Sequence, residues 1–328
     1  MPKVSVCIPT YNRANFLTYA VNSVMRQSYQ DFEIIICDDA STDNTTEIVQ
    51  QWEDERISYI RQPVNGGRSR NMRSGFEAAQ GTYFIKFDDD DALTPEFLEK
   101  TVAVLDAKPN VDFVCTNHWI INQNNQKNEA ATQENSAKWG KDRLQGVIPD
   151  LLAEAFIYQS LQVGSTLFRR DCLQAVDYMR PEADGCEDFD LFVRLAMAEK
   201  QGYFIPEFLM EYRMHGGQTS LKQQIHFLKA KSWCLNSYKF RKTELEIIRL
   251  EKLAGIKQAL GLRLVENGDS AEGRELLNES SQALGFSGKV TLAVILSYLP
   301  MSFRQFFMNQ FRKFRAKDYA EKVREVVN

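Results

Sequence analysis

The sequence predicts an α/β fold: a mainly parallel sheet flanked by helices, followed by a helical C-terminal region. Three observations carry this. Short apolar runs alternate with helically spaced segments through the first half of the chain, the pattern of strand and helix wound around a parallel sheet. Several of those runs end directly in polar or acidic residues, as strands pointing at a ligand crevice do. After His226 the pattern is helical throughout. The expected division is one α/β domain over residues 1–225 and a helical region over 226–328.

The elements follow in order. Residues 3–10 (KVSVCIPT) form an apolar run ending at Pro9, as a buried strand does. Residues 13–28 place Phe16, Leu17, Ala20, Val21, Val24 and Met25 at helical spacing. FEIIIC at 32–37 is a second buried strand and runs into Asp38-Asp39. Residues 45–52 read as a helix, 57–60 as a strand and 68–79 as a helix. TYFIKF at 82–87 is a strand that delivers four consecutive aspartates, Asp88 to Asp91. Thr94-Pro95 opens the next helix, with Thr94 as N-cap and proline at the first helical position. Strands are expected at 111–115, 163–169 and 208–213, and paired amphipathic helices at 247–265 and 272–284. The Asn-, Gln- and Lys-rich stretch 122–143 reads as a mobile loop.

Composition narrows the function. The 328 residues are 44% hydrophobic and 26% charged, and 40 Lys+Arg against 44 Asp+Glu leave a net charge of −4. A general nucleic-acid binder working through a basic surface is disfavoured. The longest apolar stretch, 290–299, falls short of the ~20 residues a membrane span needs. No basic segment followed by an apolar run opens the chain, so no secretory signal is expected. Cys7, Cys37, Cys115, Cys172, Cys186 and Cys234 are scattered without a C-x-x-C pair. That argues against zinc ribbons and disulfide frameworks and for reduced thiols in the cytoplasm.

The chemistry concentrates at strand ends. Thr10-Tyr11-Asn12, Asp38-Asp39 and Asp88–Asp91 each follow a strand, and in an open parallel sheet they converge on one crevice. Four adjacent carboxylates repel one another, so holding them together needs a cation. Their hard oxygens suit Mg²⁺ or Mn²⁺ bridging to substrate phosphates; the alternative is a solvated charge run. Asp38-Asp39 either caps a turn or accepts hydrogen bonds from a nucleobase or ribose. In NGGRSRN (65–71), a glycine turn precedes two arginines at a helix start, which suits a phosphate. It is not G-x-G-x-x-G and follows the third strand, which disfavours a dinucleotide-binding dehydrogenase. Glu187-Asp188 begins an amphipathic segment, where a carboxylate serves either the helix dipole or as a general base. His215, ahead of Gly216-Gly217, is either structural or close to a ligand.

Taken in order, PTYNRA, CDDASTDNT, NGGRSRN, FDDDDALTP, GSTLFRRD, CEDFDLFVRL and YRMHGGQTS resemble the family 2 glycosyltransferases of the GT-A fold, over about residues 1–220. The resemblance implies an inverting enzyme that uses a nucleotide-sugar donor, usually UDP-linked, and a divalent metal. It implies that Pro9, Thr10, Tyr11 and Asp39 surround the base, with Asp38 beside them, and that Arg70 and Asn71 approach the nucleotide. Asp88 and Asp90 match the D-x-D carboxylates, Asp88 nearer the ribose and Asp90 on the metal, with Asp89 beside the donor and Asp91 extending the motif. The alternative register pairs Asp89 with Asp91. Asp188 matches the base that deprotonates the acceptor, Glu187 a residue that orients it, and His215 a position by the diphosphate or metal. The segment between Asn65 and Arg70 is about two residues shorter than is common, so Arg68 competes with Arg70 for its role.

Two other readings stand beside this one. A sugar-nucleotide nucleotidyltransferase also joins a parallel sheet to metal carboxylates, but a glycine-rich, lysine-containing signature near the first strand is missing. A non-catalytic carbohydrate-binding module predicts no metal-dependent nucleotide binding. The last segment, 301–328, carries seven basic and three acidic residues, giving +4 and leaving −8 for the rest. Phenylalanines interleave its basic residues, so it either packs on the domain or lies on a membrane surface near a glycan or lipid-linked acceptor.

Overall fold

The computed structural model describes residues 1–214, 220–285 and 287–302. Four parallel strands, β1 (Val4–Thr10), β2 (Phe32–Asp38), β3 (Ile57–Arg61) and β4 (Tyr83–Lys86), run side by side in the order β3-β2-β1-β4. Beyond β4 the sheet becomes mixed. The next strand, β8 (Thr166–Arg169), is antiparallel to β4 and to β6 (Phe113–Ile121). The long β9 (Gly202–Arg213) runs parallel to β6 and pairs antiparallel with β5 (Ala92–Leu93) and β7 (Gly146–Val147). This is the GT-A architecture.

Helices α1 (Ala14–Met25), α2 (Thr45–Val49), α3 (Arg68–Ala78) and α4 (Phe97–Ala107) connect the parallel strands and their neighbours. Because both sheet faces are covered, β1 and β2 are buried along almost their whole length and read as continuous apolar runs. On one face Val4, Val6 and Ile8 pack with Leu17, Val21 and Val24 of α1 and Phe97 of α4. On the other, α3 lies so close that any side chain at Gly75 would run into the sulfurs of Cys7 and Cys37. All six cysteines are buried and unbridged.

The chain forms two compact units. One comprises Met1–Pro181 and the segment from Glu187 through β9; the other comprises Glu182–Cys186 and the helices that follow. In the second unit α8 (Leu221–Ser237) precedes α9 (Thr243–Asn267), α10 (Ser270–Leu284) and α11 (Gly288–Leu296). Gly261 of α9 and Gly273 of α10 let these two backbones meet, since a Cβ on Gly261 would lie 2.8 Å from the Gly273 carbonyl. Leu264, Val265, Leu277 and Val290 fill the core around that contact. No helix among the described residues is long and apolar enough to cross a membrane. The expectation for the basic tail falls almost wholly outside the described residues.

Three sequence expectations need correction. The stretch 122–143 is not a mobile loop: it holds α5 (Glu129–Lys138), N-capped by the Asn128 side chain on Ala131 N at 2.9 Å. Helix α4 starts at Phe97, later than Thr94-Pro95 suggests: the buried Thr94 hydroxyl caps no amide, and the Thr94 N–H donates to Leu209 O at 2.9 Å as β5 ends. The strand expected at 163–169 begins only at Thr166, after a 3₁₀ turn over Val163–Ser165. The two remaining helices, α6 (Arg170–Ala175) and α7 (Glu187–Met197), follow β8.

Candidate active site

The turns after β1 and β2 are laced together. Asn12 adopts a left-handed conformation (φ 53°), and its Oδ1 accepts from Thr42 N at 2.7 Å while its own N–H donates to Ser41 Oγ at 2.9 Å. Asp43 accepts from Ala14 N at 3.1 Å, satisfying an otherwise orphaned amide at the start of α1. Beside this lattice Tyr11 is 45% exposed, and its ring is open to stack on a planar group; Pro9 and the buried Thr10 lead into it.

The hydrogen bonds to Asp38 and Asp39 come from neutral donors, with one arginine at longer range. Asp38 is fully buried and accepts from Ser41 N at 2.8 Å and Tyr59 Oη at 2.5 Å, with Arg61 Nε at 3.5 Å. Both oxygens of Asp39 accept backbone amides, Gly66 N at 2.8 Å and Gly67 N at 3.0 Å. Gly67 needs its φ of 88° to make that approach and leads straight into α3. The glycine-turn amides, suited on sequence to a phosphate, therefore serve Asp39. Arg70 is exposed on the first turn of α3, with its stem against Gly66. Asn71 is buried, and its Nδ2 donates to Cys37 O at 2.6 Å, tying α3 to the end of β2.

Three of the four aspartates after β4 are held by cationic side chains instead. Lys86 Nζ donates to Asp88 Oδ1 at 2.6 Å. Arg13 Nη1 reaches Asp90 Oδ2 at 2.6 Å and Asp89 Oδ1 at 3.2 Å. Arg213 donates its backbone N–H to Asp91 Oδ1 at 2.8 Å and its Nε to the Asp90 carbonyl at 2.6 Å. Burial, opposed by Arg13, pushes the Asp89 carboxyl up to about 7. Burial and then the charge of Asp90 raise Asp91 well above the carboxylate range. The buried Asp91 Oδ2 has no hydrogen-bond partner. It shares a small space with Asp88 Oδ2: a Cβ on Gly164 would lie 3.5 Å from Asp88 Oδ2 and 3.9 Å from Asp91 Oδ2.

The turn holding Gly164 also receives α7. Val163 N donates to Asp188 Oδ2 at 3.1 Å. Burial raises the Asp188 carboxyl, and the Lys86 ammonium pulls it back. Lys86 itself is buried at a cost to its charge, which Asp88 and then Asp188 more than offset, so its ammonium is held charged. Glu187 is buried and its Oε1 accepts from Ser69 Oγ of α3 at 3.5 Å. Asp88, Asp91 and Asp188 thus meet around one three-residue turn, with Lys86 in the field of all three. His215 lies outside the described residues.

These carboxylates suit a divalent cation in kind: their hard oxygens match Mg²⁺ or Mn²⁺, which need only one or two protein carboxylates and keep waters and phosphate oxygens. The unpartnered Asp91 Oδ2, which like Asp88 Oδ2 lies close to Gly164, supports that fit. Among the described residues no cluster of three or more His, Cys, Asp or Glu ligands is present.

Residues 5–161 match the sequence model of the family described as Glycosyl transferase family 2. The putative teichuronic acid biosynthesis glycosyltransferase TuaG of Bacillus subtilis is 27% identical over 72% of this chain and 94% of its own length. The GalNAc(5)-diNAcBac-PP-undecaprenol beta-1,3-glucosyltransferase of Campylobacter jejuni is 42% identical over 28% of this chain and 31% of its own length, so that match spans less than a third of the relative. The crystal structure of S. aureus TarS 1-349 in complex with UDP-GlcNAc superposes with a TM-score of 0.60 at 18% identity, covering 96% of this chain and 93% of that one. The chain is thus similar to the glycosyltransferases of family 2.

Three of the residues that build the crevice carry little signal in the sequence. Arg13 stands inside PTYNRA but reads as a helix start; Arg213 stands inside YRMHGG, where the histidine draws attention. Lys86 carries more than the other two, since a lysine inside an otherwise apolar buried strand demands a partner.

Proposed function

We propose that this protein transfers a sugar, with inversion, from a UDP-sugar to an acceptor hydroxyl in polysaccharide or glycolipid assembly. The observation that carries the reading is the convergence of Asp188 with Asp88 and Asp91 on the turn over Val163–Ser165. That arrangement puts a candidate base within reach of the carboxylates that would hold the donor diphosphate. The catalytic domain in this reading spans residues 1–225, with 226–328 as a helical region.

The roles follow from the surroundings. Tyr11 offers its exposed ring to the base, with Pro9, Thr10, Asp38 and Asp39 shaping the floor beneath it. Arg70, exposed at the start of α3, faces the donor phosphates as the leaving charge develops, and Asn71 fixes that helix turn. Asp88 serves the ribose and, with Asp90 and His215, a Mn²⁺ or Mg²⁺ ion; Asp89 lines the donor side. When bound, that ion neutralises charge on the departing diphosphate. Asp188 accepts the acceptor's hydroxyl proton as that oxygen bonds to the anomeric carbon and the bond to the diphosphate breaks. Glu187 orients the acceptor. The TuaG and undecaprenol-linked relatives support a glycan or lipid-linked acceptor. Peripheral membrane contact through residues 301–328, at the cytoplasmic face, is part of the same proposal.

Thermal shift with UDP, GDP and dTDP, each with and without Mn²⁺, tests it. UDP with Mn²⁺ is expected to raise Tm most. Absence of metal-dependent stabilisation by every nucleotide would overturn the reading in favour of a carbohydrate-binding module. A donor-hydrolysis screen across nucleotide sugars then identifies the sugar.

A further inference from the structure

The first turn of α7 carries Asp190 two residues beyond the proposed base, and this carboxylate is completely buried. A buried carboxylate is costly unless it is paired and hydrogen-bonded on both oxygens. Here Arg180 engages both oxygens, with Nε 2.9 Å from Oδ2, and Arg194 adds Nε at 2.8 Å to Oδ2. The remaining arms of Arg194 reach back to the carbonyls of Val176 and Tyr178.

The segment they grip is strained. Asp177 and Tyr178 are consecutive non-glycine residues in the left-handed region, with φ 57° and 38°, a conformation that costs an L-residue roughly 1–2 kcal/mol. What holds them there comes from two helices. Arg73 of α3 donates to Asp177 Oδ1 and Asp177 O, each at 3.0 Å, and to Met179 O at 2.8 Å. The buried Tyr178 ring stacks on Phe76 of α3, centroids 4.4 Å apart. From the other side Arg194 of α7 takes the two neighbouring carbonyls. One strained turn therefore joins α3, which carries Arg70 and Asn71, to α7, which carries Glu187 and Asp188.

We propose that Asp190, clasped by Arg180 and Arg194 and linked through the 176–179 turn to Arg73, is a positioning residue that fixes the proposed base Asp188 relative to the nucleotide-binding helix. The inference rests on Asp188 being the base. Bond formation between a held hydroxyl and a held anomeric carbon is sensitive to placement: a misplacement of about 1 Å can cost about a hundredfold in rate. Neither Asp190 nor Arg73 needs to touch substrate for this, since each acts through the helix it holds.

The test uses the full chain, UDP with Mn²⁺ as the binding probe and the nucleotide sugar from the donor screen as substrate. Asp190→Asn is expected to lower kcat about tenfold or more, while donor KM and UDP affinity stay within about twofold. Amide exchange over the first turn of α7 should rise about tenfold as well. Arg73→Lys, which leaves the Asp190 pairs intact, is expected to give the same split at about threefold; if Asp190→Asn fails to fold, it decides alone. Unchanged kcat in both variants, or kcat and UDP affinity falling together, overturns the proposal. Asp188→Asn is run in parallel. If it keeps its turnover, the base assignment fails, and the exchange measurement still reports whether the clasp holds α7.

Discussion

Two acidic clusters close adjacent regions of the same sheet, and they are satisfied in opposite ways. Asp38 and Asp39, after β2, accept from amides and a tyrosine hydroxyl, with one arginine at the edge of Asp38. Of the aspartates after β4, Asp88, Asp89 and Asp90 take lysine and arginine side chains, while Asp91 accepts one backbone amide and keeps a buried oxygen without a partner. Neutral backbone donors cannot leave without unfolding the turn that supplies them. Side-chain cations can move when another cation and a phosphate arrive. The first cluster is a fixed floor; the second is built to change partners. A run of like charges is thus better judged by what answers it than by its length.

That contrast can be broken or sharpened by substitution. The largest effect is expected at Asp188, whose field includes both Lys86 and Asp88: Asp188→Asn should lower transfer by about a thousandfold, the range of a positioned general base, with UDP binding intact. Because burial raises this carboxyl and the base works ionised, kcat should fall on the acid side at a higher pH than an ordinary carboxylate would give. A pH profile flat down to the usual carboxylate range would reject the assignment. Next comes Asp90→Asn, expected to cost about a hundredfold in transfer, since it removes a charge from where the leaving group departs, while Tm changes little. If it instead unfolds the protein, the second cluster is as structural as the first.

Asp38→Asn should show the reverse signature. It leaves the Tyr59 and Arg61 donors facing an uncharged group in a buried site, which is expected to lower stability by about 2 kcal/mol, while kcat per folded molecule falls far less than at Asp188 or Asp90. Urea unfolding beside specific activity separates the two outcomes. The smallest effect concerns Lys141, buried beside His118, with Nζ 3.0 Å from Nδ1. Burial lowers its ammonium from 10.5 to about 7. Between those values the unfolded chain carries the proton and the folded one does not, so stability rises with pH by up to about 1.4 kcal/mol per unit. Lys141→Met should flatten that rise in urea titrations between pH 7.5 and 9.5; an unchanged slope would show that other groups set it.

The parallel half of the sheet was legible because its strands are buried on both faces, which makes FEIIIC and TYFIKF unbroken apolar runs. The convergence of three strand ends followed from that topology. What stayed hidden was held by polar contacts. Helix α5 meets β6 through Asn117 to Ser136 at 2.7 Å, His118 to Asn135 at 3.2 Å and Ile120 N to Thr132 Oγ1 at 2.9 Å. Hydrophobic periodicity is blind to such an interface, so an Asn- and Gln-rich segment passes for a loop. Arg13 and Arg213 were hidden for a different reason: their partners lie 76 and 122 residues away in sequence, and spacing arguments do not reach that far.

The polar seam between α5 and β6 also bears on how the molecule assembles. Hydrophobic collapse gains little from bringing a face of asparagines and threonines to a sheet, because water serves those groups equally well until the sheet is complete. The seam gains its advantage only once β6 already presents His118 and Ile120 in register. Helix α5 is therefore expected to dock late, so that substitutions along it speed unfolding while leaving the refolding rate nearly untouched, which stopped-flow chevrons would check.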